Sequence, residues 1–126
     1  PRIATGDMTG HGQTICIAAT IEAMGSGKGA VVFIGNQKSF EDGTVTSFRL
    51  IGDSIPYSIA YGNNEFAIVL YNDTLRGEMR FITPEGNGFN VSDVYKYDVL
   101  RVAGFQDTAF TFDQASNSYI LINRDR

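Results

Sequence analysis

One histidine, one cysteine and a scatter of turn carboxylates are the residues from which this chain could build chemistry. His11 sits between glycines in TGHGQT, with Asp7 as its one close potential partner. A metal site needs several His, Cys or carboxylate ligands at short spacing, so this pattern predicts a solvent-exposed loop histidine and no metal. Cys16 lies in the apolar run ICIA, where a small buried thiol fits, and a single cysteine makes no internal disulfide. Serines occur at Ser26, Ser39, Ser54 and Ser58, but no GxSxG elbow is present to hold one as a nucleophile. The glycines and lysine of MGSGKGA suggest a phosphate cradle. The pattern fails, because Glu22 stands where the first glycine belongs and Gly29 follows Lys28 in place of Ser or Thr.

The carboxylates Asp42, Asp53, Asp73, Glu85, Asp93, Asp107 and Asp113 stand singly, without the alternating pattern of a calcium loop. Acids so placed bond to their own turn backbone. Two glycosylation patterns, Asn72-Asp73-Thr74 and Asn90-Val91-Ser92, stand where about one is expected by chance, which makes them weak evidence for glycosylation. The tyrosines weigh more. Tyr57, Tyr61, Tyr71, Tyr95 and Tyr97 fall within about forty residues, and a flat ring with a hydroxyl suits a sugar face or a protein interface. They are the candidate binding residues, with core or strand-pair packing as the alternative for about half of them. No catalytic residue, metal site or cofactor is predicted, and the expected class is non-enzymatic.

The elements that position these residues read as strands. Fifteen aromatics and 14 glycines, with few long helix-forming runs, give an all-β expectation. At 126 residues, 43% apolar and 19% charged, the chain suits one globular domain over 1–126. A net charge of −4 and no basic stripe argue against a nucleic-acid partner. No apolar run nears the roughly 18 residues of a membrane span, so no membrane insertion is expected. The N-terminal PRIATGD lacks the pattern of an export leader.

The clearest stretch is 57–89: strand 58–61, a turn at Gly62-Asn63-Asn64, strand 66–71, a polar turn through Gly77, and strand 79–83. Its small-residue pair Ile59-Ala60 has counterparts in Ile17-Ala18, 42 residues earlier, and Val102-Ala103, 43 residues later. The chain therefore reads as three diverged antiparallel meander repeats of about 42 residues, over 13–55, 56–98 and 99–126, with 1–12 completing the last. The segment 89–100 predicts a fourth strand, 22–29 an exposed loop, and 36–43 a polar turn; a short helix over 14–24 is the alternative to a strand there. Small residues in the first strand suit propeller-like blades, whereas a count of three suits a β-trefoil.

The stretch SIAYGNNEFAIVLYND…GEMRFITPEGNGF resembles the propeller repeats of bacteriophage tail and receptor-binding proteins and of sialidase-like proteins, where an IAYGNGxFV pattern precedes an Asp-box-type turn. Glu85 and Phe89 stand where that box carries Asp and Trp, and the chain has no Trp. No catalytic residue carries over. The resemblance implies a structural or binding module of a virion, in a tail or capsid surface, virion-associated or extracellular. Its implied partners are further copies of the chain in a homo-oligomer, other structural proteins, or a host surface. The alternative is a carbohydrate-binding lectin with a shallow surface-glycan site in each repeat.

Overall fold

The computed structural model describes residues 2–23, 27–50, 55–71, 76–93, 95–98 and 108–123. The fold is all-β, in antiparallel sheets that form no closed barrel among the described residues. The first sheet is a meander of β1 (Arg2–Met8), β2 (Gly12–Ala23), β3 (Gly27–Gly35) and β4 (Thr46–Leu50). The second comprises β5 (Ile55–Gly62), β6 (Glu65–Tyr71), β7 (Arg76–Glu85) and β8 (Gly88–Val91), with β9 (Tyr95–Asp98) also pairing with β7. A hairpin of β10 (Thr108–Asp113) and β11 (Ser118–Asn123) is the third unit.

Period-two alternation sends one face of each strand into a common core. From the first sheet come Met8, Cys16, Ala18, Ala30, Val32, Ile34 and Leu50; from the second come Ile59, Phe66, Ile68, Leu70 and Ile82. The opposite face of the second sheet packs Tyr57, Ala60, Ala67 and Val69 with Met79, Phe81 and Tyr119 of the hairpin. The second sheet is thus sandwiched, which explains why FAIVL of β6 is apolar at every position and buried at both faces. Each large side chain so buried contributes about 1.5–3 kcal/mol of transfer free energy.

Two contacts of one kind set the spacing. A Cβ at Gly6 of β1 would lie 2.1 Å from the Tyr61 ring of β5, and one at Gly62 would lie 2.0 Å from the Phe112 ring of β10. Only glycine admits rings this close to the strand. Each contact carries a hydroxyl anchor: Tyr61 Oη donates to Asp7 O at 2.6 Å, and Tyr119 Oη donates to Gly62 O at 3.2 Å. The rings Tyr61 and Phe66 pair across β5 and β6 at 4.9 Å, as Phe112 and Tyr119 pair across β10 and β11 at 5.0 Å.

Several expectations change here. Residues 2–8 pair along their length with β2, so they open the first sheet and do not supply a strand to the third unit. Ile17-Ala18 lies on the second strand of its sheet and Ile59-Ala60 on the first of its own, so the 42-residue match does not equate strands by place; Val102-Ala103 lies outside the described residues. By contrast β2, β6 and β11 start at 12, 65 and 118, each step being 53 residues. Residues 14–23 are strand, not helix, and the expected 22–29 loop is largely paired, with Glu22 opposite Lys28. The polar turn at 36–43 contains a six-residue helix, α1 (Gln37–Asp42). Asn36 caps it by accepting from Ser39 N at 2.8 Å, and Gly43 ends it in the left-handed region. The expected fourth strand appears as β8 and β9, joined at Ser92, whose hydroxyl accepts from Phe81 N at 2.9 Å while its own N donates to Phe81 O.

Gly6→Ala and Gly62→Ala should each cost about 1–3 kcal/mol in urea denaturation, because a methyl there displaces a packed ring. Gly88→Ala, whose methyl would meet only Glu85 O at 3.8 Å, should change stability little in the same experiment.

Candidate functional site

Three turns converge at one end of the interface between the first two sheets. In the β1–β2 turn, Gly10 and Gly12 adopt φ of 81° and 64°, which L side chains rarely do, and His11 N closes the turn on Met8 O at 3.0 Å. This directs His11 onto Phe89 of β8, with ring centroids 4.6 Å apart at an interplanar angle of 30°. The start of α1 forms a third wall, where Ser39 Oγ donates to Asn36 O at 2.8 Å. The cleft enclosed is about 230 Å³, lined by His11, Asn36, Thr44, Thr46, Asn87 and Phe89 among others, with no Asp, Glu, Lys or Arg in its wall. His11 is therefore not the exposed loop residue expected from its glycine neighbours: it is half-buried, and its Nε2 is shut from water without a hydrogen-bond partner.

The candidate tyrosines take other roles where their side chains are described. Tyr57 is only 7% exposed, inside the second cluster, with the Arg2 guanidinium 5.5 Å from its ring centroid. Tyr61 lies over Gly6, and burial together with the Asp7 charge raises its pKa. Both rings serve packing between sheets rather than an open stacking surface. The side chains of Tyr71, Tyr95 and Tyr97 lie outside the described residues. The tyrosine that the sequence reading passed over, Tyr119, bridges units through Gly62 O and Glu65 Oε1, the latter at 3.1 Å, and burial followed by the Glu65 charge raises its pKa.

Cys16 and Asp113 are both held by their surroundings. Cys16 is fully buried in the core as a free thiol. Asp113 turns its carboxylate onto its own loop, accepting from Ser116 Oγ at 2.7 Å and Ala115 N at 3.2 Å, and the Ser116 hydroxyl foremost lowers its pKa. Asp53, Asp73, Asp107, Ser26 and Ser54 lie outside the described residues. Among the described residues no group of three His, Cys, Asp or Glu could hold a metal, and no helix is long and apolar enough to cross a membrane.

The outer face of the first sheet is the other notable surface. Opposite the core-facing positions stand Ile15, Ile17, Ala19, Ile21, Val31 and Phe33, all half-buried, with Ile3 63% exposed. Ile3 pairs with Ile17 and Ile17 with Phe33, giving an apolar band across three strands. At the other end of the stack Ile120 is 36% exposed and pairs with Thr111, on the face of the hairpin away from Phe112 and Tyr119.

Comparison with known protein families, curated proteins and solved structures finds no match to this chain.

Burial pushes the Cys16 thiol from 9.0 up to about 12. The unfolded chain therefore loses this proton first as pH rises, so the stability it represents is complete below about pH 9 and falls toward pH 12 by about 1.4 kcal/mol per unit. Urea denaturation between pH 9 and 11 should show Cys16→Ala losing stability with pH less steeply than the wild type, by about that slope.

Proposed function

We propose that this chain is a non-catalytic structural and binding module that enters a larger assembly by stacking its outer sheet face against a further sheet, supplied by another copy. The observation that carries this reading is the apolar band Ile3–Ile17–Phe33 with Ile15, Ile21 and Val31 around it. An antiparallel sheet with one wet face alternates apolar and polar residues, whereas one that is apolar on both faces is built to be covered twice. The second sheet provides the precedent within the chain: it is covered on both faces by sheet or hairpin, through rings laid on glycines.

The finer architecture belongs to the same reading. The 53-residue spacing of β2, β6 and β11, and the aromatic couple beside the turn in both the β5–β6 and β10–β11 hairpins, support blade-like units stacked in series. A stack whose two ends differ joins head to tail, and such a contact closes into a ring or continues as an open array. The resemblance of 57–89 to phage tail and receptor-binding repeats gives the context, a virion surface or tail protein acting outside the cell.

Light scattering on a sizing column tests this. The wild type should run as an oligomer, and Ile17→Asp, which places a charge at the centre of the band and leaves the core-facing side untouched, should run as a monomer with an unchanged circular dichroism spectrum. A wild-type monomer at about 100 μM, a concentration at which even a micromolar contact would be filled, would contradict the proposal.

A further inference from the structure

We infer that the cleft between His11 and Phe89 is a binding site for a neutral, hydroxyl-rich ring of the pyranose class. The site is independent of the stacking face. It lies at the turn end of the interface between the first two sheets and uses no residue of the apolar band.

Its chemistry selects the ligand. The wall has no Asp, Glu, Lys or Arg, which disfavours anions and cations alike, and Thr44, Thr46 and Asn87 line it together with Phe89. Amides and hydroxyls that donate and accept, set beside one aromatic ring, match a molecule with hydroxyls on its rim and C–H groups on its faces. Clefts for drug-sized ligands start at about 300 Å³. A volume of about 230 Å³ therefore admits one small ring.

The second observation is the orphaned imidazole nitrogen. A buried polar atom without a partner costs about 1–3 kcal/mol, and His11 Nε2 is such an atom on a residue that lines the cleft. Rotation of the imidazole toward the cleft would let a ligand hydroxyl supply the hydrogen bond that this nitrogen lacks. The other wall groups near α1 are already committed, Asn36 Oδ1 to Ser39 N and Ser39 Oγ to Asn36 O, and keep the cleft in shape. The left-handed glycines around His11 make the turn that presents it.

The chain holds one histidine, so its ring proton resonance reports this site alone. We would follow that resonance while titrating the wild type with neutral monosaccharides, among them glucose, galactose and N-acetylglucosamine. At least one should give a saturable shift with a dissociation constant in the millimolar range. Asn87→Ala, in an exposed turn and with no role in the core, should weaken that constant about fivefold. Phe89→Ala should weaken it about tenfold. A histidine resonance that no sugar shifts, a shift left unchanged by Asn87→Ala, or a shift produced only by a capped dipeptide amide would each overturn the assignment. The last outcome would make the cleft a peptide site.

Discussion

The fold depends on sheets approaching closely enough for a ring of one to lie on the backbone of the next. Gly6 under Tyr61 and Gly62 under Phe112 remove the Cβ atoms that would forbid this. In each case a tyrosine hydroxyl donates to a carbonyl of the strand beneath, Asp7 O or Gly62 O, which adds a directional anchor to a contact that dispersion alone leaves free to slide. Thr9 N donating to Asn64 Oδ1 at 2.8 Å ties the turns of the first two sheets together at the same end. Spacing and register between sheets therefore come from a few named groups, and the aliphatic core fills the space they define.

Function follows from what this stacking leaves open. The second sheet has both faces covered and offers only its turns. Among the described residues the first sheet has one apolar face covered and one not, and the hairpin ends the described stack with Ile120 outward. The turns that converge where the first two sheets meet bring His11, Phe89 and the cap of α1 to one cleft. An apolar face and a small uncharged cleft are the two surfaces on which the proposed binding role rests. Cys16, the one thiol, is raised to about 12 by burial and so stays protonated near neutrality.

Much of this was legible in the chain, and the exceptions have physical causes. Alternation and turn chemistry located β5, the Asn63-Asn64 turn with both residues at positive φ, and β6, and placed strand structure after Phe89 without showing that it divides into β8 and β9. The repeat frame differed from the structure because Ile17-Ala18 and Ile59-Ala60 share a small apolar pair that suits any closely packed strand, and they stand at different places in their sheets. The helix α1 has no buried residue and so no apolar stripe; its only signal was the cap pair Asn36 and Gly43. The site was less accessible still. His11 and Phe89 are 78 residues apart, and no local pattern says that a histidine flanked by glycines has an aromatic partner. Nor does residue type distinguish a tyrosine that stacks on a ligand from Tyr61, which stacks on a glycine of the neighbouring sheet.

The most direct test of the account is proton NMR of the glycine Hα atoms. With Tyr61 and Phe112 rings lying on Gly6 and Gly62, ring currents should move both pairs of Hα resonances well upfield of their random-coil positions, with nuclear Overhauser contacts to the aromatic protons of Tyr61 and Phe112 respectively. Glycine Hα resonances at ordinary positions without those contacts would show that the sheets do not meet in this way, and would contradict the stacked architecture from which the rest is derived.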